Sequence, residues 1–453
     1  MTSQFTSLPV ELILGIINMV SPLDIIRLRQ TCKQLYDLTL EPSIWTSYYR
    51  NSSLFLPPGP RPFQTIHDTE RILVRAQKLD LHWTSESGSQ PPQFRAMREL
   101  NYEESISRIY LFRGRYLLVG FRLRFVLYDV ESSSWNEPIH TEDAEPSTIF
   151  NYQKDASMDD DSMYVGILVM GVSVGPAQNL TIWEVKHSDS ITVSKVVILQ
   201  IPTSPTGDFV ISNGFLIHWR AGREGGGSFL YHIETQKMYR FPVSSEDRDW
   251  DPDYMIALPH RVIVVQWQDP SMTFDSFIIQ DEAEPSLKLT HHGICDFCID
   301  DPKVLTFAST SSNAGHLSLV ASRSLPGPWN VALGLLEVTL CSDGTVTFNV
   351  AAEGTPNCNQ SLSSTIHADI CHRQRRIRAL SFEGSLSDQP SYFHFYDIDL
   401  GVNAGSQKPS IQERQVQVQL VHPYSEAEEV RIDAFTGRIC LDLWDKVAIV
   451  DLV

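Results

Sequence analysis

One short motif recurs through most of the chain: two apolar or aromatic residues, a polar residue and another apolar residue. The third positions of its copies lie 47 to 60 residues apart, at Asp129, Glu184, His232, Ile279, Glu337, Asp397 and Asp451. A unit of this length cannot bury both of its own faces, so successive units must pack against one another. The repeat therefore predicts a β-propeller of seven blades, or of six because the copy at Ile279 is degraded.

The composition around the repeat is that of an all-β domain. From Ile106 to Val453, short apolar runs such as 116–119 and 262–265 alternate with clusters of Gly, Pro, Asp and Ser. This pattern favours short strands joined by turns. Only two residues follow Asp451, so we expect a segment near or before Ile106 to supply the last outer strand and close the ring. A pair of two-sheet sandwiches is the alternative architecture.

The first fifty residues have helical periodicity instead. Leu12, Ile16 and Val20 recur every fourth position with Ile13 and Ile17 beside them, which predicts a helix with one broad apolar face. Ser21 and Asp24, with a proline between them, predict the start of a second helix, and Glu41-Pro42-Ser43 separates it from a third. So small a unit cannot cover all its apolar residues internally, so another surface must cover part of it.

These residues resemble an F-box. The resemblance rests on Leu8-Pro9-x-Glu11-Leu12-Ile13, Ser21-Pro22-Leu23-Asp24-Ile25, Leu28, Cys32 and the closing Ile44-Trp45. In that family the motif is a three-helix unit that docks on the Skp adaptor, which binds a cullin scaffold. The resemblance implies that eight residues lie at or behind that interface: Leu8, Pro9, Ile13, Ile17, Pro22, Ile25, Leu28 and Cys32. The alternative is a helical cap that packs only on the rest of this chain.

The connector between the two parts is predicted to be mostly ordered. Prolines stiffen the segment from Ser52 to Pro62, and Ile66, Leu73, Ala76 and Leu79 then follow at helical spacing. We expect this helix to brace the F-box against the β-domain, with a disordered linker as the alternative. The predicted fold is thus α+β and multidomain: an all-α F-box at residues 1–50, a linker with a helical brace at 51–105, and an all-β propeller-like domain at 106–453.

Charge and hydropathy limit the partners. The net charge is −19, from 36 basic and 55 acidic residues, which argues against binding to a nucleic-acid backbone. No segment has the length and apolarity of a membrane span or the pattern of a signal peptide, and the seven cysteines are scattered, as in a reducing compartment. We therefore expect a cytoplasmic or nuclear protein with protein partners, no membrane contact and no cofactor.

Three groups of residues are candidates for a chemical site. His291, His292, Cys295 and Cys298 have ligand types that zinc favours, but the surrounding residues have the pattern of a strand, so no metal is predicted. Ser173 lies between Gly171 and Gly175 as in a hydrolase nucleophile elbow, yet Pro176 follows where a helix is needed.

The remaining group is a dense basic patch. Arg373, Arg375 and Arg376, with Arg378 nearby, are candidates for binding an acidic or phosphorylated target, although such a patch is more often a solvated loop.

The sequence predicts a non-catalytic receptor. The F-box would dock on the Skp adaptor, and through it on a cullin, while the propeller would bind a protein target for ubiquitination. Two alternatives are an F-box scaffold that acts outside degradation and a propeller enzyme with a helical cap.

Overall fold

The computed structural model describes residues 8–57, 59–60, 64–84, 96–112, 114–121, 124–143, 152–154, 162–169, 177–187, 191–202, 207–212, 214–220, 228–241, 254–258, 260–268, 271–280, 285–295, 301–303, 315–324, 331–340, 346–354, 367–371, 376–383, 391–399, 410–418, 429–443 and 445–452. Two parts follow one another, first helical and then β. The described helices are α1 (Val10–Ile17), α2 (Pro22–Arg29), α3 (Lys33–Thr39), α4 (Pro42–Asn51) and α5 (Ile66–Thr84).

The second predicted helix is in fact two helices, α2 and α3. The backbone amides of Gln30 and Thr31 bond to carbonyls three residues back, and the Thr31 hydroxyl also donates to the Leu28 carbonyl at 2.7 Å. Cys32 is then extended, with φ −159° and ψ 160°. A threonine that bonds to a local carbonyl competes with the helix ladder, and the apolar spacing alone does not register this competition.

The predicted start of α2 is confirmed. The Ser21 side chain accepts from the Asp24 amide at 3.2 Å, and Pro22 occupies the first helical position. The Ser21 hydroxyl also donates to the Asp24 carboxylate at 2.7 Å. This bond and that from Arg27 hold the pKa of Asp24 below its ordinary value.

The described strands form five four-stranded antiparallel sheets and one eight-stranded sheet, which consists of two four-stranded antiparallel units joined at their outer strands. In chain order, the first three units are β2 (Ile106–Phe112), β3 (Tyr116–Phe121), β4 (Arg124–Asp129) and β5 (Pro138–Asp143); β6 (Tyr152–Lys154), β7 (Ser162–Val169), β8 (Ala177–His187) and β9 (Ile191–Pro202); β10 (Gly207–Ser212), β11 (Phe215–Arg220), β12 (Phe229–His232) and β13 (Lys237–Arg240). The fourth and fifth units are β14 (Tyr254–Leu258), β15 (Arg261–Gln268), β16 (Ser271–Gln280) and β17 (Ser286–Cys295); β18 (Asp301–Lys303), β19 (Gly315–Ser324), β20 (Val331–Leu340) and β21 (Val346–Gly354). The sixth unit is β22 (His367–Cys371), β23 (Arg376–Glu383), β24 (Ser391–Asp399) and β25 (Ser410–Val418), and the seventh is β26 (Glu429–Asp433), β27 (Arg438–Asp442) and β28 (Lys446–Asp451) with β1 (Ala96–Asn101).

The units form a closed ring. Each contacts the next along the chain, and β2 of the first unit contacts β26 and β27 of the seventh. The sandwich alternative is therefore wrong, because two sandwiches would not return the last sheet to the first. The third and fourth units are also joined by one parallel bridge, between Arg240 and Ser286. The number of blades in the whole domain stays a prediction from the repeat.

The closing strand comes from the segment before Ile106, as expected. Strand β1 pairs antiparallel with β28, from Ala96 opposite Asp451 to Asn101 opposite Lys446. The last unit is thus completed by a strand from the start of the domain, which ties the two ends of the ring together.

The sequence repeat corresponds to the third strand of each unit. The seven copies lie on β4, β8, β12, β16, β20, β24 and β28. In the first, second, fourth and fifth units the outer strand shifts register beside the motif. Such bulges increase the local twist of an edge strand and hinder pairing with a foreign strand.

Candidate docking site

Helix α1 is apolar on two sides. Ile13 and Ile17 are fully buried in the helical core. Leu12 and Ile16 lie on the other side and are 56% and 36% exposed, and Met19, just beyond the end of the helix, is 87% exposed. Because residues three and four positions apart share a helix face, these side chains form one stripe. A stripe of this kind on a small domain marks a surface for another protein.

Helix α3 and its C-terminal cap provide two further exposed apolar residues. Tyr36 and Leu40 are four positions apart and both exposed. Beside them, Leu35 is buried in the same core as Ile13. We call Leu12, Ile16 and Met19 the apolar face of the helical domain.

Most of the residues that the F-box resemblance implied lie behind this face. Ile13, Ile17, Pro22 and Ile25 are buried, and Leu8, Leu28 and Cys32 are half-buried against the same core. Pro9 is exposed. Their role in adaptor binding stays a prediction, and for the buried members it would be to hold the helices in place.

The residues of the apolar face are absent from the site predicted from sequence, although the width of the apolar arc on α1 indicated them. Leu12 and Ile16 stand beside Ile13 and Ile17, so the apolar arc is wider than one internal core requires.

Helix α5 packs into the core of the helical domain. Leu73 and Ala76 are fully buried beside Trp45 and Tyr49 of α4. The Gln77 side chain accepts from the Leu23 amide at 2.9 Å, which satisfies an amide in the first turn of α2.

A part-buried ion pair strengthens this contact. The Arg29 guanidinium donates to both Glu70 carboxylate oxygens, at 3.0 and 2.7 Å. It also lies 5.7 Å from the centre of the Trp45 ring. Two-point contacts of this kind fix orientation as well as distance.

The C-terminal half of α5 packs on the seventh unit of the ring. Leu79 and Trp83 belong to a buried cluster with Phe435 and other residues of that unit, and Phe55 stacks on Phe435 with ring centres 4.8 Å apart. Gly437 has a φ of +66°, and a Cβ there would collide with the Leu79 side chain. The close approach of helix and turn thus depends on this glycine. We call the contact of α5 and Phe55 with the ring the seam.

Charged residues flank the apolar part of the seam. Arg75 pairs with Asp451 at 3.0 Å and Glu131 at 3.2 Å, and it donates to the Thr436 carbonyl. Burial acts to raise the pKa of Asp451, but hydrogen bonds and ion pairs with arginines, chiefly Arg438, outweigh it and lower that pKa.

A fully buried cation occupies the centre of the seam. The Arg378 side chain of the sixth unit is 0% exposed, and its guanidinium lies 4.8 Å from the ring centres of both Phe55 and Trp83. It pairs with Asp80 of α5 and lies 4.0 Å from Asp397. Burial lowers the pKa of Arg378, against the effect of the two carboxylates.

One of the predicted target-binding arginines, Arg376, lies close to this seam. Arg376 pairs with Asp397, with Nε 3.3 Å from one carboxylate oxygen, and lies 3.5 Å from Asp80. Arg373 and Arg375 lie outside the described residues. Arg376 is thus engaged within the chain, and a role of these arginines in target binding stays a prediction.

The described part of the chain provides no arrangement that supports the other two candidate sites, the histidine–cysteine group and Ser173. His292 Nδ1 lies 2.7 Å from an Asp275 carboxylate oxygen across β16 and β17. Over the described ranges, no three His, Cys, Asp or Glu side chains are placed to hold a metal ion. Cys298 and Ser173 lie outside the described residues, as does the side chain of Cys295.

Comparisons with known proteins agree with the helical domain. The family model described as F-box-like matches residues 5–51. A search of curated protein sequences finds no match. Within the described residues, none of the helices is both long and apolar enough to span a bilayer.

Solved structures of low similarity match the chain over most of its length. The WD40 domain of SCAP from fission yeast is 12% identical, with a TM-score of 0.40, over 77% of this chain and 82% of that chain. Extracellular domains 1-2 of Drosophila Semaphorin 1b are 9% identical, with a TM-score of 0.41, over 80% and 88%. The extracellular domain of the putative hybrid two component system BT4673 from B. thetaiotaomicron is 11% identical, with a TM-score of 0.39, over 80% and 43%.

The propeller-like architecture of the second domain follows from its own strand order and from the closure of its ring. The chain therefore contains an F-box-like domain at residues 5–51, followed by an all-β domain whose four-stranded sheets form a propeller-like ring.

Proposed function

We propose that this protein is the substrate-receptor subunit of a Skp–cullin–F-box ubiquitin ligase. The F-box-like domain docks on the Skp adaptor, and the propeller-like domain binds the protein to be ubiquitinated. The observation that carries the proposal is the apolar face, which is exposed on a domain that matches the F-box-like model. Such a complex would act in the cytoplasm or the nucleus.

The apolar face supplies a sufficient driving force for docking. Burying one fully exposed Leu or Ile side chain contributes about 1.5–3 kcal/mol. We take half of this value for each side chain here, because part of its surface is already covered in the free protein. Leu12 and Ile16 together would then contribute about 1.5–3 kcal/mol, or roughly ten- to a hundredfold in affinity. A few such anchors carry most of the energy in an interface of ordinary size.

In this proposal the protein needs no catalytic residue of its own. Tethering a target beside a ubiquitin-charged enzyme turns a bimolecular encounter into a local one, which raises the rate through effective concentration. The seam supports this role, because α5 packs on both the F-box-like domain and the ring.

The test measures adaptor binding by calorimetry, using the full chain and the Skp adaptor of the same source. The double variant Leu12→Ser, Ile16→Ser is expected to bind roughly ten- to a hundredfold more weakly. Leu81→Ser is the matched control, because Leu81 is a similarly exposed apolar residue on α5, outside the apolar face. Equal affinity of the double variant and the control would refute docking through the apolar face.

A second experiment separates a degradation receptor from a scaffold. Targets captured through the propeller-like domain are expected to accumulate when the proteasome is inhibited. If captured proteins keep constant levels while adaptor binding is intact, the scaffold alternative is correct.

A further inference from the structure

The outer strands of the ring differ sharply in charge. In a chain with 55 acidic residues, β9, β13 and β17 contain none. Each of the other four outer strands contains at least one, namely Glu99 on β1, Glu142 and Asp143 on β5, Glu353 on β21 and Glu413 on β25. The three strands without acidic residues belong to consecutive units, so they form one continuous stretch of the rim.

This stretch carries exposed cations and exposed apolar side chains. The exposed cations that face the grooves between these units are Lys195 on β9 and Lys237 and Arg240 on β13; Lys288 on β17 is also exposed but lies on the other side of that strand from Leu289. The apolar residues are Ile198, which is 63% exposed, with Met238 and Leu289. We call the three groove-facing cations and these three apolar residues the basic rim.

Strand register places one cation and one apolar residue in each groove between neighbouring units. Lys195 is opposite Trp183, which packs on the first unit, and Ile198 is opposite Thr181 on the same side of β8. Both therefore face the groove between the first and second units. Lys195 there pairs with Glu142 at 3.2 Å.

The next two grooves repeat the arrangement. Met238 and Arg240 are opposite Tyr231 and Phe229, which pack on the second unit. Lys237 lies on the same side of β13 as Tyr239, which packs on the fourth unit. Leu289 is opposite Phe277, which packs on the third unit, so Lys237 and Leu289 share a groove.

We propose that the basic rim binds an acidic, extended segment of a partner protein whose apolar side chains enter the three grooves. The positive charge of the rim is complementary to the negative charge of such a partner. The rest of the chain is acidic, so it would not attract this partner. Periodic apolar positions between cations favour a peptide over a nucleic acid, because a phosphate backbone would leave Ile198, Met238 and Leu289 uncovered.

The proposal is independent of adaptor docking. The basic rim lies on the second to fourth units, whereas α5 and Phe55 contact the sixth and seventh. A partner on the rim and an adaptor on the apolar face would therefore bind the same molecule at separate sites. Loss of one interaction should leave the other intact.

The probe is a fluorescein-labelled peptide of alternating glutamate and leucine with serine spacers, and the measurement is fluorescence anisotropy with the full chain. We expect a dissociation constant of tens of micromolar that weakens with added salt, because exposed ion pairs are screened. The same peptide with lysine in place of glutamate should not cross-link to the basic rim, because both carry positive charge. If the glutamate peptide fails to bind, or if an oligouridylate binds better, the proposal is wrong.

A charge-reversal variant tests the location. Lys195→Glu, Lys237→Glu, Arg240→Glu is expected to weaken peptide binding at least tenfold without weakening adaptor binding. The matched control reverses three exposed cations of the F-box-like domain: Arg27, Lys33 and Arg50. If both variants lose the same amount of peptide affinity, the effect is due to net charge alone, and binding at the basic rim is refuted.

A third measurement needs no variant. A benzophenone on the peptide should cross-link to β9, β13 or β17 of the unmodified protein. Cross-links confined to other strands would overturn the proposal even if the charge-reversal variant failed to fold.

Discussion

Removing the Asp80 carboxylate tests whether the buried cation of the seam depends on its partner in α5. In the variant Asp80→Ala, Arg378 keeps its place between Phe55 and Trp83 but loses the carboxylate that α5 provides. Among the described residues, its Nε and Nη1 have no hydrogen-bond partner. The cation thus has few other groups to compensate for its burial.

The expected cost follows from the geometry. Removing one member of a buried ion pair costs about 3–5 kcal/mol, because the other charge remains buried. Asp80 is 26% exposed and Asp397 remains 4.0 Å from Arg378, so we take the lower limit, about 3 kcal/mol. This corresponds to a factor of roughly 150 in the equilibrium between packed and separated seam.

The assay is native-state hydrogen exchange of the α5 amides. If they exchange when the seam opens, their rates should rise about 150-fold in Asp80→Ala. The double variant Asp80→Ala, Arg378→Met removes the unpaired charge and should recover most of the loss. Arg27→Met is the control, because the Arg27–Asp24 pair is exposed and screened by solvent, so its loss should leave the α5 exchange rates unchanged. Exchange rates that rise less than about threefold, or a double variant as labile as Asp80→Ala, would refute this reasoning.

Three further perturbations test the seam and the ring. Gly437→Ala should destabilise the protein by about 2 kcal/mol or more in urea unfolding, because φ is +66° and the new Cβ meets Leu79; an unchanged midpoint would contradict this. Asp451→Asn should remove stability at neutral pH but not in acid: the lowered pKa means that the carboxylate stabilises the fold above pH about 4, and this contribution is lost as the pH falls through the folded-state value. A constant difference between wild type and Asp451→Asn from pH 7 to pH 2 would argue against it. Leu100→Pro should weaken the pairing of β1 with β28, seen as faster amide exchange in β28, because Leu100 is in a hydrogen-bonded pair with Val447; Met97→Pro, whose amide points away from β28, is the control and should have a smaller effect.

The local elements of the F-box-like domain were largely readable from sequence. Ser21 and Pro22 set the start of α2, and Trp45 is buried in the helical core as its apolar neighbours suggested. The break between α2 and α3 was not readable, because a hydroxyl-to-carbonyl bond of Thr31 leaves no mark on apolar spacing.

The repeat identified the third strand of every unit. The roles of the charged residues in the β-domain could not be assigned from sequence. Arg376 was predicted to contact a target, and its place beside Asp80 depends on residues almost 300 positions apart in the chain. Likewise, the basic rim brings together three strands that look ordinary when each is considered alone. Such groupings are products of packing, which periodicity within one segment does not encode.

The order of the two domains, the helical type of the first and the repeating β-units of the second follow from local sequence patterns. They do so because capping residues, apolar spacing and turn residues act over a few positions along the chain. The tertiary structure alone decided which apolar residues of α1 remain exposed, how α5 joins the two domains, and which charges meet at the seam and along the rim. Those outcomes depend on contacts between distant segments, whose energies arise only when burial and charge pairing are realised together in the folded chain.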